Sequence, residues 1–200
     1  MFKTNMSEKS KVLDLATRQN GVVTAKDAAL LGIPCRALFD CVKDGMLLRD
    51  NRGVYIVPDH FSDEFFTAQY KYPKGVFAFN TALYLWGLSG RVPQQLEMTF
   101  PKGYNTSAAK NFGIVCKILV QDRYDAEIST VKTPNGNMVR AYSIERTLCD
   151  MLKYKGDPEL FLNAIKVYMA SADKNLNKLF SIANSFSMHD KIRPYVEALL

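Results

Sequence analysis

The chain has 200 residues, 48% of them hydrophobic, which is enough apolar mass for one large domain or two small ones and excludes disorder as its default state. Lys and Arg outnumber Asp and Glu by 26 to 20, and the resulting charge of +6 permits an anionic partner without demanding one. No apolar run approaches the roughly 20 residues of a spanning helix, and MFKTNMSEKSK lacks the apolar core of a signal peptide, so the reading is cytoplasmic with no membrane partner.

Residues 1–6 read as a tail. Ser7 suits the N-cap of a helix over 8–19, with Val12, Leu15 and Ala16 turned inward and Asn20-Gly21 ending it. The stretch 22–58 then organises the first half. Thr24 can cap a short helix from Ala25, Gly32 can end it in the left-handed region, and Pro34 suits the first turn of the next helix. The 3.6-residue period puts Cys35, Leu38, Phe39 and Val42 on one face of that second helix. Arg36, Ala37, Asp40 and Asp44 fall opposite, with Lys43 at the margin. After Gly45, the apolar runs MLL and VYIV flank residues 49–53, whose Asn and Gly favour a tight hairpin.

Two helices across a tight turn followed by a hairpin is the layout of a winged helix-turn-helix. Such a unit lays its second helix in a DNA major groove and its hairpin against the neighbouring backbone. The expected core is Val12, Leu15, Leu30, Leu38, Phe39, Val42 and Val54. The same layout also serves in protein–protein modules, and Asp40 and Asp44 on the outward face are unfavourable toward phosphates. Arg49 and Arg52 at the hairpin weigh toward DNA.

Ser62 reads as the N-cap of a connector helix to about Tyr72, with Phe61 and Phe66 at hydrophobic-staple spacing. Pro73-Lys-Gly75 stops it, which places the domain boundary between 1–74 and 75–200. The second domain opens with VFAF, then a helix over 80–87 capped by Asn80. Strands follow over 96–100, 114–120, 127–133 and 138–142, the last two flanking the turn signal Pro134-Asn-Gly136. From Ser143 onward only helices are expected: 143–154, 158–172, 175–186, and 190 to the end. Strands followed by helices make this domain, and the chain, α+β.

No catalytic constellation emerges, because Walker, H-E-x-x-H and G-x-S-x-G patterns are all missing, so the reading is a non-enzyme. Asp122, Asp125 and Glu127 read as a solvated loop. Cysteines 35, 41, 116 and 149 form no C-x-x-C knuckle, and His60 and His189 stand far apart. Reduced cysteines, no metal and no cofactor are expected.

Two segments stand out: NTALYLWGLSGRVP at 80–93 followed by MTFPKGYN at 98–105, and YSIERTLCD at 142–150. The residues of the second describe a capped helix start. Ser143 is the cap, Glu145 sits at the positive helix end, and Arg146 and Asp150 are spaced to pair on the surface. Ile144, Leu148, Met151 and Leu152 turn inward. With the hairpin unit before them, these segments resemble the AbiEi-type antitoxins of bacterial abortive-infection, phage-resistance toxin–antitoxin systems, over nearly the whole chain.

The resemblance implies a winged helix joined to a C-terminal antitoxin domain of mixed α and β structure that ends in a helical segment. It implies a repressor of its own promoter, bound to inverted repeats of double-stranded DNA on which two protomers can pair. It also implies a functional partner, a nucleotidyltransferase-type toxin, counteracted without a stable complex. Carried onto this chain, the operator-contacting element is 24–43, with Thr24 and Lys26 on the backbone, Arg36 reading a base, and Ala37 and Lys43 beside it. Arg49 and Arg52 form the wing. Arg91, Lys102, Arg140, Arg146, Lys153 and Lys155 make a basic surface for the antitoxin role. The alternative is an interaction module that neutralises a toxin by direct contact.

Overall fold

The computed structural model describes residues 7–154 and 156–200. It divides into two compact units: the described residues through Ala68 with Thr133–Asn137, and Gln69–Lys132 with Met138–Leu200.

In the first unit, α1 (Glu8–Arg18) begins where the Ser7 hydroxyl accepts the Ser10 amide at 3.2 Å. It ends before Asn20 and Gly21, both at positive φ. Glycine is required at 21, since a Cβ there would lie 2.0 Å from the His60 ring. The chain then enters β1 (Val22–Thr24), a strand absent from the sequence reading. β1 pairs antiparallel with β3 (Val54–Ile56), which also pairs with β2 (Leu48–Asn51), giving the order β1-β3-β2. The β2–β3 hairpin turns at Gly53, φ +75°, and a register shift lies between Arg49 and Asn51.

Thr24 ends β1 and caps α2 (Ala25–Leu30), its hydroxyl accepting the Asp27 amide at 3.0 Å. Pro34 stands just outside α3 (Cys35–Lys43), as its N-cap. The core of this unit joins Val12 and Leu15 of α1, Val23 of β1, Leu38 and Cys41 of α3 and Tyr55 of β3. Each large apolar side chain buried this way contributes about 1.5–3 kcal/mol. Leu30 and Phe39, expected in that core, are instead 74% and 54% exposed, because α2 turns Ala28 inward and α3 turns Ala37, Leu38 and Cys41 inward.

α4 (Glu64–Lys71) is capped by Asp63, not Ser62. Phe61 is 87% exposed, so no hydrophobic staple closes over this helix start. The buried Asp63 carboxylate accepts the Phe66 amide at 3.0 Å, the Thr133 hydroxyl at 2.5 Å and the Asn137 amide at 2.8 Å, all within the first unit. Three donors on one carboxylate offset the cost of its desolvation.

The second unit is built on a five-stranded mixed sheet. Its strands are β4 (Val76–Phe77), β5 (Glu97–Pro101), β6 (Val115–Leu119), β7 (Ile128–Lys132) and β8 (Met138–Tyr142), in the order β6-β5-β4-β8-β7. β5–β6 and β4–β8 run parallel and the other pairs antiparallel. The parallel neighbours β5 and β6 are joined by a crossover through α6 (Ser107–Asn111), while α5 (Phe79–Leu85) links the antiparallel β4 and β5. A one-turn α7 (Gln121–Asp125) precedes β7. The rest is helical: α8 (Ile144–Lys153), α9 (Pro158–Ala170), α10 (Leu176–Ser185) and α11 (His189–Glu197). Leu83, Leu148, Ile165, Tyr168, Leu179 and Ile192 form the centre of a core joining α5 to those helices. The architecture is α+β with two sheets. Among the described residues no helix is long and apolar enough to cross a membrane.

Candidate nucleic-acid interface

Because α3 packs inward through Ala37, Leu38 and Cys41, the helical period turns Arg36, Phe39, Asp40 and Lys43 outward. The Arg36 side chain is 90% exposed, and its Nε stands 4.0 Å from Asp40 Oδ2. Asp44, just past the helix, is bound by the Lys9 ammonium of α1, and that hydrogen bond raises the Lys9 pKa. Each carboxylate at α3 therefore has a cation beside it, which removes most of the repulsion a phosphate would meet there. Lys26 is exposed in the first turn of α2. Arg49 and Arg52 are exposed on the hairpin, whose tip is fixed by the Arg52 amide donating to Asn51 Oδ1 at 3.0 Å.

Two residues of the sequence-derived contact set are turned away from solvent. Thr24 is 1% exposed, and its hydroxyl, besides capping α2, donates to Asp27 Oδ2 at 2.7 Å. That hydroxyl has no free geometry for a phosphate. Ala37 is 4% exposed and belongs to the core, since α3 is rotated from the face the periodicity suggested.

The basic set of the second unit divides similarly. Lys102 is exposed, and Arg91 is exposed with only a loose approach of 4.0 Å to Glu159. The half-buried Arg140 guanidinium donates to the Pro73 carbonyl at 2.9 Å, and Lys153 donates to the Phe186 carbonyl at 3.1 Å. Burial pulls the Lys153 pKa down. Lys155 lies outside the described residues.

Arg146 is not a surface residue at all, being 1% exposed. Its Nε donates to Asp150 at 2.7 Å, and Nη1 donates to the carbonyls of Arg123 and Ala126 at 3.0 and 2.9 Å. The guanidinium lies 4.2 Å from the Tyr142 ring centroid and 4.3 Å from that of Phe186. The i,i+4 pairing holds, but inside the core, because α8 is covered on nearly every side. Periodicity gave no sign of this, since a spacing of four marks a pair without marking its exposure. The Lys9–Asp44 pair had no local signal either, because its partners lie 35 residues apart in sequence.

No protein-family model matches the chain, and no curated protein matches it. Among solved structures it is similar to the crystal structure of the RV2827C protein from Mycobacterium tuberculosis, with 15% identity and a TM-score of 0.53. The likeness covers 95% of this chain and 80% of that one. At this identity the likeness is one of fold alone.

Proposed function

We propose that residues 7–58 act as a winged helix-turn-helix on double-stranded DNA. In this reading the chain is an AbiEi-type antitoxin that represses its own promoter at inverted repeats. It also counteracts a nucleotidyltransferase-type toxin without a stable complex. The observation that supports it best is the outward side of α3, where Arg36 and Lys43 are exposed and the nearby carboxylates are compensated. Arg36, at the start of the helix, can reach guanine O6 and N7 together, while Lys26, Arg49 and Arg52 suit phosphates. The antitoxin role rests on the sequence resemblance, with Arg91 and Lys102 as its exposed cations.

The test pairs a promoter reporter with a toxin-rescue growth assay on the same variants, with thermal melts as folding controls. Arg36→Ala combined with Arg52→Ala should derepress the promoter and leave rescue intact. Arg91→Ala combined with Lys102→Ala should weaken rescue more than repression. If the first pair abolishes rescue in a protein that melts normally, the division of labour is wrong.

One observation favours a second reading, an interaction module that neutralises its toxin by contact. Leu30, Leu31 and Phe39 are 74%, 62% and 54% exposed on α2, its C-cap and α3. Exposed apolar groups of that size suit a protein surface. Co-purification with the toxin that is lost on Phe39→Ser, with no DNA binding, would select it.

A further inference from the structure

The second unit contains two adjoining hollows of about 390 and 330 Å³ that share Asn80, Glu97 and Val115 as walls. Each falls within the range of small-molecule sites, about 300–1,000 Å³. The register of β5 and β6 sets Glu97 opposite Val115 and Thr99 opposite Lys117. The two-residue period therefore carries Glu97, Val115 and Lys117 to the same side.

Lys117 occupies one end. Its ammonium lies 3.2 Å from the Tyr154 ring centroid and 5.5 Å from that of Phe79, and the two rings meet edge to face. Among the described residues no carboxylate comes within ion-pair distance of it. Burial lowers its pKa, and the charge acting against that is Asp150, which is bonded to Arg146. A half-buried cation held only by ring faces stands to gain from an anion entering the hollow.

The shared wall has the opposite need. Asn80 Oδ1 is buried without a hydrogen-bond partner, and Glu97 Oε2 accepts the Asn80 amide at 2.8 Å. Burial raises the Glu97 pKa. Among the described residues Asn80 Oδ1 lacks a donor altogether, and the Glu97 carboxylate is held by the backbone amides of Asn80 and Thr81 alone, with no cation beside it. Val92, Pro93, Val115 and Leu160 supply apolar lining, with Arg91 at the far end.

We propose that this cleft binds a small anionic ligand that also carries an N–H donor, with its anionic group at Lys117, its N–H donor at Asn80 and Glu97, and a compact apolar body between. Free amino acids and nucleoside monophosphates with an exocyclic amine share this chemistry. An amino acid would sit within one hollow, and a nucleotide would span both. The proposal stands apart from the DNA-binding reading.

Calorimetric titration of the full chain with leucine, tryptophan, adenosine monophosphate and cytidine monophosphate tests it and separates the two sources. At least one probe should bind with a Kd below about 5 mM. Lys117→Met should weaken that binding about tenfold or more, and Glu97→Gln, which keeps an acceptor for the start of α5, about threefold or more. Lys132→Met, the same charge loss on β7, should stay within about twofold of wild type. No binding by any probe overturns the proposal. So does a Kd unchanged by Lys117→Met or Glu97→Gln, or raised equally by the Lys132 control.

If Lys117→Met fails to fold, acylation of Lys117 in the wild-type chain replaces it. Saturating probe should slow labelling at that residue about threefold or more, since an ion-paired amine is a poorer nucleophile. An equal rate overturns the proposal.

Discussion

Arg146→Met removes the cation from a buried pair and leaves its carboxylate in place. Asp150 Oδ2 would lose its 2.7 Å donor, and Oδ1 is already buried without a partner. Breaking such a pair from one side costs about 3–5 kcal/mol. The carbonyls of Arg123 and Ala126 lose donors as well, at up to about 1–3 kcal/mol each if they stay buried. Methionine retains part of the packing between Tyr142 and Phe186, which offsets some of that loss. A net cost of about 4 kcal/mol corresponds, at roughly 2–4 °C per kcal/mol for a chain of this size, to a Tm lower by about 8–16 °C.

The pH dependence has a definite sign. Burial raises the Asp150 pKa while Arg146 pulls it back, so removing Arg146 raises it further. A carboxyl raised above its unfolded pKa contributes stability below the unfolded value and loses it as pH rises through the folded one. The deficit of Arg146→Met should therefore be larger at pH 8 than at pH 5 in calorimetric melts. A variant melting within about 2 °C of wild type at both pH values would refute a structural role for the pair.

Arg36→Ala should cost specific DNA affinity about 1–3 kcal/mol and relax one position of each half-site, whereas Arg52→Ala should weaken all sequences alike; affinities on operator and scrambled duplexes separate the two. Lys9→Ala should weaken DNA binding by leaving Asp44 uncompensated, and Asp44→Asn in the same chain should restore it. Asp63→Ala strands the Thr133 and Asn137 donors and removes the cap of α4, a loss of about 2–4 kcal/mol measurable by urea unfolding. A fragment ending at residue 74 lacks those two donors and should unfold at lower urea than the same residues within the full chain.

Local chemistry made much of the fold legible. Ser7, Thr24 and Ser143 cap the helices their hydroxyls suggested, and Pro134-Asn-Gly136 turns the β7–β8 hairpin. Features decided by distant partners stayed hidden. The three residues of β1 are a strand only because Val22 meets Ile56 across 34 positions. α3 carries two apolar stripes that share Leu38, and packing against the rest of the core, not periodicity, selects Ala37 and Cys41 over Cys35 and Phe39. Ser62 and Asp63 are both good caps, and Asp63 prevails because the 133–137 turn supplies it with two further donors. For the candidate interface, the sequence located the exposed cations Lys26, Arg36, Lys43, Arg49 and Arg52. It could not separate them from Thr24 and Ala37, nor in the second unit separate Arg91 and Lys102 from the buried Arg146, because burial depends on neighbours far along the chain.

DNA binding through the cations of α3 and the hairpin is tested most directly by fluorescence anisotropy on a labelled duplex from upstream of the chain's own gene. Affinity is followed from about 50 to about 300 mM salt. If two protomers together neutralise about 6–8 phosphates, log K should fall against log salt with a slope of about −5 to −7. A flat response across that range would contradict DNA binding.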